Sequence, residues 1–261
     1  MDPKTLEDAG LLYDVAGPVA TITLNRPQVR NAQTPTMWHA LAAIGEELPD
    51  DVRVVVVKGS GAAFSAGLDR SMLDPSTAGE GSVVALMTQS DEEVSSAIDG
   101  FQQGFTFLRD PRFVSIAAVH GYAIGAGFQL ALSCDLRVVA DDAQFCMKES
   151  ALGLVPDLTG TKPLVESVGY ARALEICATA RMVGAHESVD IGLALAAVPV
   201  EELEATVADL VAALTAPLAG AVSETKALLQ GAADRSLDEQ RRLEREAQTR
   251  RFRELVSLMG R

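Results

Sequence analysis

Two apolar segments constrain the fold of this chain more than any other feature of its sequence. Residues 52–57 read VRVVVV and residues 114–119 read VSIAAV. Nearly unbroken apolar runs of this length, rich in β-branched residues, are typical of strands that are covered on both faces, as in parallel sheets. Each run is followed by a glycine-rich turn and then by the start of a helix. Since strands alternate with helices up to about residue 200, we predict an α/β core.

Local signals predict further elements. Residues 19–24 and 136–140 have the composition of strands. Thr34 followed by Pro35 is typical of a helix start, and Ser90 with Glu93 forms the pattern of a capping box. We expect a short helix over 126–133, a helix from about residue 162 to residue 180, and a loop over residues 73–81, where small and polar residues dominate.

The last part of the chain has a different pattern. From Glu201 onward, apolar residues recur at helical spacing. No linker rich in Pro, Gly or Ser separates this part, so we expect it to pack on the core. We therefore divide the chain into a core at residues 1–197 and a C-terminal helical region at residues 198–261. Two apolar stripes are predicted there: residues 203, 207, 210, 211 and 214, and residues 252, 255, 256 and 259.

Charge and composition exclude several classes of partner. The formal net charge is −14, and the Lys and Arg residues are scattered until the last helix. Nucleic acids and anionic membrane surfaces need a basic patch, so neither is an expected partner. The first residues lack the pattern of a signal peptide and the apolar runs are short for a membrane span, so we expect a cytoplasmic protein.

Cysteines and histidines give no sign of a metal or a disulfide framework. The three cysteines, Cys134, Cys146 and Cys177, are an odd and sparse set in apolar surroundings, which favours buried free thiols. The three histidines are far apart and have no ligand spacing, so no metal site is predicted.

Two glycine-flanked turns share one design. The first turn, residues 63–69, reads AFSAGLD, and the second turn, residues 121–129, reads GYAIGAGFQ. Small residues let a ligand approach the backbone, and N–H groups at a helix start carry a positive partial charge. Two such groups aimed at one point would form an oxyanion hole. Spacing alone favours the simpler interpretation of tight α/β turns without a ligand. A dinucleotide fingerprint is a weak alternative, since its third glycine would fall at Leu130.

Taken together, these motifs resemble those of the crotonase (enoyl-CoA hydratase/isomerase) family. Residues 64–69, FSAGLD, are similar to the family motif F-x-A-G-x-D, which follows a strand. Residues 119–135, VHGYAIGAGFQLALSCD, are similar to its second motif. Asn25-Arg26-Pro27 and the segment GLVP at residues 153–156 also fit. The resemblance covers residues 13–258, in the family's order and spacing.

The resemblance implies a spiral core of ββα units, with a C-terminal helical region that assembles trimers or dimers of trimers. It implies a CoA thioester substrate and no cofactor beyond the CoA of that substrate. The thioester carbonyl would lie between the N–H groups of Ala66 and Ala126. The ligand would also contact Gly67, Leu68, Asp69 and Gly125, and Arg26 and Arg30 would meet the CoA phosphates. An exposed structural role is equally compatible with either arginine.

The catalytic acids differ from those of family hydratases, which carry two glutamates. Gln129 stands at the first position and Glu149 at the second. A glutamine cannot exchange a proton near neutral pH, so Glu149 alone would carry the proton between carbons. This favours isomerisation of an enoyl-CoA over hydration, which stays possible if Gln129 positions water. Asp157 resembles an acid of the dienoyl-CoA isomerase branch; a solvated loop carboxylate is the simpler interpretation.

Two alternatives remain. The protein could be a non-catalytic acyl-CoA-binding homologue that lost turnover with Gln129, or a plain nucleotide-binding module. For the acyl chain, we expect an apolar pocket formed by Met72, Leu86, Met87 and Phe105.

Overall fold

A computed structural model describes residues 2–74, 76 and 82–259 and contains two β-sheets with helices around them. The strands are β1 (Leu11–Ala16), β2 (Val19–Leu24), β3 (Val54–Gly59), β4 (Val114–Val119), β5 (Tyr122–Ile124), β6 (Leu136–Ala140), β7 (Gln144–Cys146), β8 (Val183–Gly184) and β9 (Ala196–Val198). The α-helices are α1 (Pro3–Asp8), α2 (Pro35–Glu47), α3 (Val83–Leu86), α4 (Asp91–Thr106), α5 (Ala126–Ser133), α6 (Thr161–Val168), α7 (Tyr170–Thr179), α8 (Ala185–Asp190), α9 (Leu203–Thr215), α10 (Ala219–Leu229) and α11 (Leu237–Met259).

The larger sheet has the strand order β1-β2-β3-β4-β6-β9, and all neighbours are parallel except β1 with β2. The two apolar segments form its centre as β3 and β4. Val55 and Val57 of β3 face the main core, while Val54 and Val56 face a second apolar cluster that is covered by α9. Burial on both faces explains why these strands show no polar alternation, and the α/β prediction is confirmed.

The smaller sheet has the order β5-β7-β8, with β5 parallel to β7 and β8 antiparallel to it. β5 lies within the second turn and leads into α5, and β7 runs beside β5 toward Glu149. Because β5 and β7 are paired, the start of α5 and residue 149 are brought to the same end of this sheet.

Most local predictions are confirmed, and one is wrong. Thr34 Oγ1 accepts the Met37 N–H at 3.3 Å, and the capping box of Ser90 and Glu93 is formed. The predicted helix over 162–180 is interrupted, since Gly169 takes a φ of +76° between α6 and α7. Of the predicted loop at 73–81, residues 75 and 77–81 lie outside the described residues.

The region after β9 is helical as predicted, while the exact boundary at 197/198 stays a prediction. Leu203 and Val207 of the first stripe are buried against the sheet. The second stripe is not covered within the chain: Phe252, Val256 and Met259 on α11 are 59%, 70% and 83% exposed. Among the described residues no single helix is long and apolar enough to cross a membrane; the segments 200–215 and 219–234 would qualify only as a pair, bent by 101°.

Candidate active site

The two glycine-rich turns are in direct contact. The Ser65 N–H donates to the Tyr122 carbonyl at 2.8 Å, and the Ile124 N–H donates to the Ser65 carbonyl at 3.0 Å. Gly67 has a φ of +84°, and a Cβ there would overlap the Ile124 carbonyl oxygen and lie 3.5 Å from the Ala126 nitrogen. The first turn therefore packs its backbone against the start of α5, which only a glycine at position 67 permits.

The prediction that the Ala66 N–H binds the carbonyl oxygen is wrong. This N–H donates to the Arg30 carbonyl at 2.8 Å, so it already has a partner inside the protein. The Leu68 N–H is the other candidate donor of this turn. The Gly67 carbonyl accepts the Gln33 N–H at 2.7 Å. Since the peptide unit is planar and trans, the Leu68 N–H points away from Gln33.

The predicted role of Ala126 as a donor to the carbonyl oxygen stays a prediction, and its position in the fold is compatible with it. Ala126 is the first residue of α5 and follows Gly125, whose φ is +51° and ψ is −117°. N–H groups of a first helical turn have no partner within the helix, and the helix dipole makes them positive. Within the described part of the chain, neither Leu68 nor Ala126 donates its N–H to a protein acceptor. The two free donors lie on turns that contact each other.

Glu149 lies beside this pair of donors. A Cβ at Gly125 would be 3.3 Å from its Oε1, so the carboxylate rests on that glycine. Oε1 accepts the Gln129 Nε2–H at 2.7 Å, whereas Oε2 is buried without a hydrogen-bond partner in the described structure. Burial raises the pKa of Glu149; the hydrogen bond from Gln129 opposes this shift and the charge of Asp157 adds to it. A buried carboxylate with one free oxygen and a raised pKa is suited to proton transfer.

Gln129 is locked in one orientation. Its Oε1 accepts the Leu158 N–H at 2.8 Å and the Gly160 N–H at 3.3 Å, so its Nε2 must face Glu149. The side chain is 0% exposed. The expectation that Gln129 could position a water is therefore replaced by a different role: its side chain holds the Glu149 carboxylate in place.

Asp157 is half-buried on the loop before α6, and burial raises its pKa. Gln102 of α4 donates to the Asp157 backbone carbonyl at 2.6 Å and ties this loop to the helix. Asp157 influences Glu149 through its charge, with no hydrogen bond between the two side chains among the described residues.

The two predicted CoA-binding arginines have different surroundings. Arg26 Nη1 donates to Asp69 Oδ2 at 2.8 Å and to the Ala32 carbonyl at 2.6 Å, so Arg26 and Asp69 brace the first turn. Arg30 is exposed, and its guanidinium lies 5.7 Å from the centre of the Tyr122 ring. Arg30 is the better placed of the two to meet an anionic ligand near this turn.

The four residues expected to form an acyl pocket do not share one environment. Met72 and Phe105 are packed in the main core, Leu86 is partly buried, and Met87 is 73% exposed. A separate cavity of about 750 Å³ lies between α10 and the neighbouring edge of the core, and its lining includes none of the predicted site residues.

The described residues contain no cluster of His, Cys, Asp and Glu that could hold a metal ion. Cys134 and Cys146 are buried and Cys177 is half-buried; all three are free thiols.

Comparisons with known proteins identify the family. A sequence model of the enoyl-CoA hydratase/isomerase family matches residues 14–261. A Thermobifida fusca protein named as an enoyl-CoA hydratase, crystallised with CoA, is 49% identical over 98% of this chain and 98% of its own, with a TM-score of 0.93. A Thermobifida fusca structure with acetoacetyl-CoA is 48% identical over 97% of this chain and 98% of its own, with a TM-score of 0.92. The peroxisomal Δ3,5-Δ2,4-dienoyl-CoA isomerase of Arabidopsis thaliana is 34% identical over 66% of this chain and 62% of its own length. The chain therefore belongs to the enoyl-CoA hydratase/isomerase family.

Proposed function

We propose that this enzyme moves the double bond of an enoyl-CoA thioester through an enolate. Glu149 Oε2 takes a proton from one carbon of the acyl chain and the same carboxyl group returns it to another. The N–H groups of Leu68 and Ala126 hold the enolate oxygen. The observation that carries the proposal is the free, buried Oε2 of Glu149 beside Gly125, on the turn that also presents the Ala126 N–H. The CoA and acetoacetyl-CoA complexes of the Thermobifida fusca proteins support a CoA thioester as the ligand.

Isomerisation is favoured over hydration because Gln129, which exchanges no proton near neutral pH, stands at one of the two positions where family hydratases carry glutamates. Gln129 holds Glu149 through a hydrogen bond of 2.7 Å and has its own oxygen occupied by two backbone donors. It can supply neither a proton nor a free acceptor for water. General acid–base catalysis by one group accelerates a reaction by about 10²–10⁴. Loss of one of two such groups therefore slows the addition of water more than it slows a proton transfer that needs a single carboxylate.

Arg30 is proposed as a contact for the CoA phosphates.

A second proposal is that the chain associates with copies of itself. The exposed apolar residues of α11, Phe252, Val256 and Met259, support the second proposal, since a soluble protein rarely leaves such a stripe in water.

The test compares wild type with Glu149→Gln on a panel of 2-enoyl and 3-enoyl CoA thioesters. We expect isomerisation of a 3-enoyl thioester to dominate in wild type and to fall by about 10²–10⁴ in Glu149→Gln. Glu204→Gln, which alters an exposed carboxylate on α9, is the matched control and should leave the rate unchanged. Equal rates for wild type and Glu149→Gln would refute the proposal. Absence of turnover with retained binding of CoA thioesters would establish the non-catalytic acyl-CoA-binding homologue instead.

Gln129→Glu tests the preference for isomerisation. The new carboxylate would keep the backbone donors of Leu158 and Gly160 and would face Glu149, so the two acids would share a proton. We expect hydration of a 2-enoyl thioester to rise relative to isomerisation. An unchanged ratio would show that Gln129 does not set the reaction outcome.

A further inference from the structure

A buried set of polar groups packs against the first turn. We call it the Ser65 network; its members are Asn31, Gln33, Trp38, Ser65 and Gly67. Asn31, Gln33 and Ser65 are 0% exposed, and Trp38 is 4% exposed. None of these groups is hydrogen-bonded to the side chain of Glu149 or Gln129 in the described structure, and the reaction as proposed above does not use them.

Each bond of the Ser65 network has only one possible direction. An indole N–H can only donate, and Trp38 Nε1 donates to Gln33 Oε1 at 2.8 Å. The amide of Gln33 must then present Nε2 to Ser65 Oγ, at 3.1 Å. Ser65 Oγ also accepts the Gly67 N–H at 3.2 Å, and it gives its own proton to the Asn31 carbonyl at 2.7 Å. The serine hydroxyl therefore uses one donor and two acceptor positions, and each side-chain polar atom of the set has a hydrogen-bond partner.

The same residues hold the peptide that carries the free Leu68 N–H. The Gln33 N–H donates to the Gly67 carbonyl at 2.7 Å, and the Asp69 N–H donates to the Gln33 carbonyl at 2.9 Å. These two bonds flank Leu68 and turn its own N–H away from Gln33. The Gly67 N–H, one residue earlier, is fixed by Ser65. A fully satisfied buried network is rigid, so the direction of the Leu68 N–H is set before any ligand binds.

We propose that Gln33, Ser65 and Trp38 are positioning residues that aim the Leu68 N–H at the thioester oxygen. The inference rests on the proposed function, because it assumes that Leu68 is an oxyanion donor. The inference goes beyond the proposed function because it assigns a role in transition-state stabilisation to three buried side chains that would not contact the substrate. Trp38 also packs against Phe101 of α4, with ring centres 5.0 Å apart, so its indole is held from both sides.

The test measures carbonyl polarisation in the absence of turnover. A chromophoric 3-aryl-2-enoyl-CoA thioester is bound to Glu149→Gln, and the red shift of its absorption on binding reports how strongly the two N–H groups pull on the carbonyl oxygen. The same shift is then measured in Glu149→Gln combined with Ser65→Ala, with Trp38→Phe or with Gln33→Leu. Trp38→Phe removes the donor to Gln33 and keeps an aromatic ring against Phe101. Met37→Leu, a core substitution on the same helix and outside the Ser65 network, is the matched control.

We expect the network variants to lose at least half of the red shift, while Met37→Leu keeps it. In the enzyme with Glu149 intact, kcat should fall by about 10²-fold for Gln33→Leu, the effect of a misplaced group, with little change in KM or in the pH profile. Full red shift in all three network variants would overturn the inference and leave the proposed function intact. No red shift in Glu149→Gln itself would overturn both. Thermal unfolding of each variant identifies any that fails to fold, and Ser65→Ala, which deletes one oxygen, is the mildest of the three.

Discussion

Replacement of Ala126 by proline removes one proposed oxyanion donor and little else. Ala126 is the first residue of α5, a position where the N–H has no helical partner and where proline is readily accommodated. The preceding residue is a glycine with ψ of −117°, outside the α region that proline disfavours in its neighbour. Ala126→Pro therefore breaks no hydrogen bond among the described residues, and the free energy of unfolding should change by about 1 kcal/mol, the usual size for a single substitution.

The effect on catalysis should be large by comparison. Loss of one oxyanion donor costs about 10²–10³ in kcat, which corresponds to about 2.7–4 kcal/mol. The proline ring also occupies the space through which the N–H reaches the oxygen, so this range is a lower bound. Ala126→Gly, which keeps the N–H, is the matched control and should stay within about tenfold of wild type.

Steady-state isomerisation of a 3-enoyl-CoA thioester and binding of free CoA are measured on both variants. We expect Ala126→Pro to lose activity while it still binds CoA, and Ala126→Gly to keep both. If Ala126→Pro were as active as Ala126→Gly, the Ala126 N–H would have no part in the reaction.

Three further predictions concern the turns, the acid and the ligand. Gly67→Ala should reduce both activity and thermal stability, because its Cβ would overlap the Ile124 carbonyl at a φ of +84°; a melting temperature equal to that of wild type would contradict the packing of the two turns. The pKa of Glu149 is raised by burial, so the folded state keeps a proton that the unfolded chain has already released, and stability falls as pH rises from the ordinary glutamate value through the raised one. Glu149→Gln should therefore melt above wild type at pH 8, with a smaller difference at pH 4, and a difference independent of pH would argue against the raised pKa. Arg30→Ala should weaken CoA binding in a salt-dependent way with an unchanged melting temperature, whereas Arg26→Ala, which loses the bond to Asp69, should melt lower; the reverse pattern would exchange their roles.

The centre of the fold could be predicted because the sequence patterns that determine it are local. The segments of β3 and β4 are apolar on both faces, and the capping box of Ser90 and Glu93 needs only residues three apart. The smaller sheet was not predicted, since β5, β7 and β8 have two or three residues each and show no measurable period. Gly169 looked like one more residue of a helix, and its positive φ divides that helix in two.

The sequence predicted which residues belong to the candidate site better than it predicted the hydrogen bonds between them. Motif resemblance placed Gln129 and Glu149 at one site, and they do share a hydrogen bond. Which N–H of the first turn is free depends on the carbonyl of Arg30, which is distant in sequence, and no spacing rule gives that partner. For the same reason Leu68 appeared only as a ligand contact, and Gln33 was not singled out at all.

The most direct test of the proposed reaction is a crystal structure of Glu149→Gln with a bound 3-enoyl-CoA thioester. We expect a thioester oxygen within about 3 Å of both the Leu68 and Ala126 nitrogens, the distance of a good N–H···O hydrogen bond, with the side chain at position 149 against the carbons between which the proton moves. A thioester oxygen bound elsewhere, or a side chain at position 149 that turns away from the acyl chain, would contradict it.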